Sequence, residues 1–168
     1  MNSSWESHLL QATALTFEEL GFVLPSAEIS DGQRGAPWAA AVEIDFRGPW
    51  IGSLVLAVAG DLLPTLVANM LGEDHPCSAE AQHDALGEIG NVICGNVLPA
   101  IAGPQAIFNL QPPRLVDPAR AAGAGTAATR AEAALPAAMV CVGVGSGRAE
   151  VFLVAREDAG AQDTRRAA

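Results

Sequence analysis

Two pairs of apolar runs, each folded back on itself by a short turn, constrain this chain more than any other feature. In the first pair, WAAAVEIDF alternates, with Trp38, Val42, Ile44 and Phe46 on one face and Glu43 and Asp45 on the other. That is the period of a half-buried strand. Arg47-Gly48-Pro49 then reverses the chain, and WIGSLVLAVA follows as a strand apolar on both faces. A turn this short joins antiparallel neighbours. The second pair is AMVCVGV and AEVFLVA, joined by Gly145-Ser146-Gly147-Arg148. Between the pairs, AIFNLQPPRLV reads as a strand interrupted at Pro112-Pro113, hence an edge or a bend, because proline offers no ladder N–H.

Helical patterns fill the remainder. Trp5 to Leu20 places Trp5, Leu9, Leu10, Phe17 and Leu20 at helical spacing, with Gly21 as a stop. Asp61 suits an N-cap for a helix that tolerates Pro64 in its first turn and ends at Gly72. A central helix runs from His83 to Gly103, and EDHPCSAEAQ links the two. PSAEISDGQRGAP reads as a loop. The alanine- and glycine-rich stretch over residues 119–135 reads as a long loop or loose helix. Paired strands with helices between the pairs make an α+β fold: a single, largely antiparallel sheet with long helices packed on it. We expect one domain over residues 1–156 and a disordered tail over residues 157–168.

Composition removes whole classes of function. The net charge of −10, with nine basic residues against nineteen acidic ones, leaves no surface for neutralising phosphates and argues against nucleic acid. All the basic residues are arginines, so a P-loop lysine, a Schiff base and a lysine general base are excluded. The longest apolar run, Ile51 to Ala59, is too short for a bilayer, and no basic segment precedes the first apolar residues. A cytoplasmic, non-membrane protein is the expectation. Cys77, Cys94 and Cys141 are odd in number and scattered, which argues against a disulfide framework. His75, Cys77, His83 and Cys94 match no ordinary zinc spacing, so no metal site is assigned. GAGTAA and GVGSG lack the strand-to-helix context of a nucleotide loop. Trp38 and Trp50 are read as capping the first hairpin's core.

The central helix, HDALGEIGNVICGNVLPAIAG, is the segment with unexplained polarity. At about 100° per residue, Leu86, Ile89, Gly90, Ile93, Val97, Ala100 and Ile101 share the face that packs on the sheet. Asp84, Glu88, Asn91 and Gly95 share the opposite face, within a sector of roughly 60°. Acids on an exposed face near a helix N-terminus are ordinary and suit the helix dipole. Asn91 and Gly95 fit that reading less well, since a glycine within a helix costs about 1 kcal/mol against alanine. Pro99 clashes with the carbonyl of Gly95 and implies a bend. A side-chain-free surface beside Asn91 would let another molecule approach the backbone.

The segment DALGEIGNVICGN resembles the signature helix of the CheX/CheC/FliY chemotaxis phosphatases, in which an Asp or Ser is followed by Glu, by Asn three residues on, and by Gly. Asp84, Glu88, Asn91 and Gly95 each match, and Pro113 lies close to where that family places a proline on the following strand. The order of elements from Trp5 to Ala155 is similar too. CheC-type members carry two such helices; the first helix here has no Glu-x-x-Asn, which makes the chain CheX-like. The resemblance implies hydrolysis of the aspartyl phosphate of a phosphorylated CheY-like receiver. It implies Asn91 positioning the attacking water, Glu88 pairing with the receiver's lysine, and Asp84 and Gly95 serving the docking surface. The magnesium ion would be the receiver's, with no cofactor held by this chain. The alternative is a non-catalytic receiver-binding or flagellar-switch-like adapter of the same fold. Sheet-edge dimers occur in that family, so the resemblance allows a homodimer.

Overall fold

The alternation that begins at Trp38 sets the frame on which everything else packs. In the computed structural model, which describes residues 3–72, 78–123 and 137–158, the elements follow in one order. They are α1 (Ser3–Glu19), α2 (Asp31–Gly35), β1 (Trp38–Arg47), β2 (Trp50–Ala59), α3 (Leu62–Leu71), α4 (Ala79–Ala102), β3 (Asn109–Leu110), β4 (Arg114–Val116), α5 (Pro118–Gly123), β5 (Ala137–Val144) and β6 (Gly147–Glu157). Every strand pairing is antiparallel. The sheet order is β3-β1-β2-β6-β5, with β4 also on β1. This is the α+β architecture expected, and Pro112-Pro113 divides one edge strand into β3 and β4 as proline's missing donor requires.

Period two assigns the faces. Val42, Ile44 and Phe46 on β1, Leu54, Leu56 and Val58 on β2, and Val151, Leu153 and Ala155 on β6 point to one side and are buried. The layer of α1, α3 and α4 covers them. α1 presents Trp5, Leu9, Ala12, Thr13, Thr16 and Phe17, and the Thr16 hydroxyl is satisfied by donating to the Ala12 carbonyl at 2.7 Å. Leu10 and Leu20 are only half-buried, since the small Ala12 and the two threonines lie closer to the sheet. Trp5 meets Trp50 edge-on at 5.1 Å. So Trp50 does cap the hairpin's core.

Trp38 does not. A bulge between Trp38 and Ala40 shifts the register, so Trp38 pairs with Ala59 and turns to the far face. There the Arg148 guanidinium stacks 4.1 Å above its ring. Arg148 Nη1 also donates to the carbonyls of Gln33 and Ala36, tying α2 to the sheet. The segment read as a loop therefore contains a short helix, closed by a capping box in which Ser30 and Gln33 bond reciprocally.

Other local differences have similar causes. Asp61 precedes α3 but makes no side-chain cap bond, while Gly72 ends that helix in the left-handed conformation. α4 starts at Ala79, capped by the Ser78 hydroxyl, and it continues through Pro99 to Ala102. The bond Pro99 cannot donate is to Gly95, on the exposed side of the helix, where solvent reaches the freed carbonyl. The second hairpin turns on Gly145-Ser146 alone, because Gly147 and Arg148 already pair in β6. β6 extends to Glu157, which pairs with Trp50, and the Asp158 N–H donates to the Pro49 carbonyl at 3.0 Å. The remainder of the expected tail, and most of the alanine-rich stretch beyond α5, lie outside the described residues.

Candidate functional site

α4 is long and apolar enough to cross a membrane by composition, yet half of its most apolar window is buried inside the protein. Ala85, Leu86, Ile89, Ile93, Cys94, Val97 and Leu98 form the buried side. Ala100, expected there, is exposed. Two glycines set how closely the helix approaches. A Cβ on Gly90 would stand 2.5 Å from Ile44 Cδ1, and one on Gly87 would stand 3.1 Å from Pro113 Cβ. Glycine at both positions lets α4 settle closely onto β1 and against the proline, where a methyl would push Ile44 aside or crowd Pro113.

That approach creates a groove of about 700 Å³ between α4 and the sheet edge. Its helical bank consists of Glu80, His83, Asp84, Gly87, Glu88 and Asn91; its other bank consists of Val42, Pro113 and Leu115. Asp84 and Glu88 are exposed, and Asn91 is half-buried. The structure thus brings together Asp84, Glu88 and Asn91. Gly95 lies a turn further along, outside the groove, with open space where its Cβ would be.

Asn91 is the most informative residue of the groove. Oδ1 is buried and has no hydrogen-bond partner among the described residues. A buried acceptor left unpaired costs about 1–3 kcal/mol, a cost that folding stability alone does not explain. The other orphaned side-chain atoms among the described residues, Glu6 Oε1 and Thr13 Oγ1, belong to α1 and do not line the groove.

Glu80 and Leu115 were missed by the sequence reading. Glu80 had a signal: moving the helix start back to Ser78, a good N-cap followed by an acid in the first turn, extends the acidic stripe to Glu80, Asp84 and Glu88. Leu115 had none, because its place depends on how β4 pairs.

Elsewhere among the described residues the two thiols are quiet. Burial pushes the Cys94 thiol up to about 12. Burial, and then the Glu150 carboxylate, push that of Cys141 up to about 11. Neither is a thiolate nucleophile at neutral pH. Among the described residues, no three His, Cys, Asp or Glu side chains converge as a metal site would need. His75 and Cys77 lie outside those residues.

The family model for the chemotaxis phosphatase CheX matches residues 40–130, which include both banks of the groove. No curated protein sequence matches the chain. Among solved structures, CheX from Vibrio vulnificus aligns with a TM-score of 0.66 at 16% identity, covering 90% of this chain and 96% of that one. CheX from Desulfovibrio desulfuricans gives 0.66 at 16%, covering 90% and 99%. CheX in the CheX–CheY–BeF3–Mg complex from Borrelia burgdorferi gives 0.60 at 17%, covering 91% and 98%. At such identities the structural likeness speaks for the fold, and the family model, spanning more than half of the sequence and the whole groove, speaks for kinship. The chain belongs to the CheX family of chemotaxis phosphatases.

Proposed function

We propose that this protein hydrolyses the aspartyl phosphate of a CheY-like response regulator by positioning a water molecule, with no covalent intermediate of its own. The observation that carries this is that half-buried Asn91, whose Oδ1 has no partner among the described residues, lines the groove one turn from the exposed carboxylate of Glu88. A carboxamide suits the task. Its oxygen accepts from water and its nitrogen donates, and neither needs to ionise. The water oxygen bonds to phosphorus as the phosphorus–carboxylate bond breaks, leaving inorganic phosphate and the receiver's free aspartate. The acyl phosphate is already reactive, so holding water in line is the main requirement. Positioning of this kind is worth about 10²-fold, or about 2.7 kcal/mol.

Glu88 pairs with the receiver's lysine and fixes the register of docking through a charge-assisted contact. Asp84 and Gly95 belong to the surrounding contact surface, Asp84 within the groove and Gly95 beyond it. The receiver brings its own magnesium, which neutralises charge on the phosphoryl oxygens. The Borrelia relative, crystallised in a complex with CheY, BeF3 and Mg, supports this choice of partner.

The test is phosphate release from a panel of phosphorylated receivers of the source organism, with and without the protein. Faster release establishes the phosphatase. Binding without release makes the chain an adapter, and neither, across the panel, leaves the stripe as an ordinary acidic helix face.

A further inference from the structure

Leu115 is 54% exposed although it stands on the helix-facing side of the sheet. Its register explains the exposure. β4 pairs Arg114 with Glu43, Leu115 with Val42 and Val116 with Ala41. Arg114 Nη2 lies 3.2 Å from Glu43 Oε2 and 3.0 Å from Asp45 Oδ2, both on the far face. Successive strand residues point to opposite faces, so the clamp on Arg114 turns Leu115 toward the helix layer. Among the described residues no helix covers it there, and it lines the groove beside Pro113, facing the bank that holds Glu88 and Asn91. A strand of three residues has little ladder of its own to resist slippage; the two carboxylates on Arg114 add modestly to its restraint.

We infer that Leu115 is a specificity-determining contact: the apolar anchor against which the phosphorylated receiver packs, with Arg114 as the positioning residue that aims it. This rests on the phosphatase reading above. The occupant must then offer a cation to the acidic bank and, beside it, an apolar side chain to Leu115. A receiver with the cation alone engages Glu88 but leaves the leucine wet.

Affinity for receivers loaded with beryllofluoride and magnesium tests this, together with kcat and KM on the phosphorylated receivers. Leu115→Asp and Leu115→Ala should weaken affinity and raise KM, the former about tenfold, as loss of an apolar anchor does. In both, kcat and melting temperature stay at wild-type values, and Leu115→Met keeps wild-type affinity. Arg114→Ala should raise KM in the same sense but less, with kcat retained. Unchanged affinity and KM in Leu115→Asp and Leu115→Ala overturn the inference. So does a fall in kcat at constant KM, which would move Leu115 from docking into the chemistry. A wild-type protein inert toward every receiver overturns the phosphatase reading itself, a result separate from either.

Discussion

Asn91 and Glu88 are one turn apart on α4, but Glu88 stands in solvent while the amide oxygen of Asn91 is buried and unpaired among the described residues. Their substitutions should therefore behave differently. Asn91→Ala removes a buried orphan acceptor and replaces a mediocre helix former, so its melting temperature should match or exceed that of wild type. Its phosphate release should fall about 10²-fold while receiver binding persists; turnover within twofold of wild type would end the water-positioning role. Glu88→Ala should weaken complex formation and turnover together, with Glu88→Gln keeping part of the binding. The thiol of Cys94 makes a different prediction. Its folded value, about 12, lies above the ordinary thiol value of 9.0, so the unfolded chain loses this proton first as pH rises. Stability from this group is intact below pH 9.0 and declines between there and about 12. Thermal melts across alkaline pH should fall less steeply in Cys94→Ala than in wild type. The acidic stripe was legible because its members share one helix and one period. The unpaired state of Asn91 Oδ1 was not, since it depends on which neighbours fail to reach it.

At the scale of elements, three glycines on α4 serve opposite ends. Gly87 and Gly90 admit Pro113 and Ile44 at short range, whereas Gly95 has nothing within 4 Å of its would-be Cβ. Gly95→Ala should gain stability, up to about 1 kcal/mol from helix propensity. Gly90→Ala receives the same gain but drives a methyl into Ile44, for a net loss of up to about 2 kcal/mol. Paired thermal melts decide this: a lower melting temperature for Gly95→Ala would mean that the residue is kept for packing after all. If Gly95 admits the receiver's backbone, Gly95→Leu should keep the fold and lose affinity. The packing role of Gly90 was readable from the helical wheel. That of Gly87 was not, because its partner Pro113 lies on a strand whose pairing no local pattern announces. The capping box of α2, by contrast, was written in Ser30 and Gln33 and passed over within a turn-rich stretch.

Across the whole molecule, the two hairpins were legible because each turn is local, and their arrangement was only partly so. β2 is apolar on both faces, which suits a central strand, yet its partnership with β6 joins residues far apart in sequence. The same long-range pairing brings Arg148 under Trp38, and a bulge visible only in the paired sheet turns that tryptophan to the far side. The sheet therefore separates two tasks. The groove faces the helix layer along β1 and β4, and the Arg148 cluster lies on the opposite face, where it holds α2. Arg148 is only 7% exposed, so Arg148→Ala removes charge-assisted bonds from two carbonyls together with a cation–π contact. The expected cost is about 2–3 kcal/mol, which for a chain of this size lowers the melting temperature by about 4–10 °C. Well below that transition, kcat and KM on a phosphorylated receiver should stay at wild-type values, because the cluster lies on the face of the sheet opposite the groove. A loss of turnover without a loss of stability would instead mean that the two faces of the sheet are coupled, and that α2 helps to shape the groove across it.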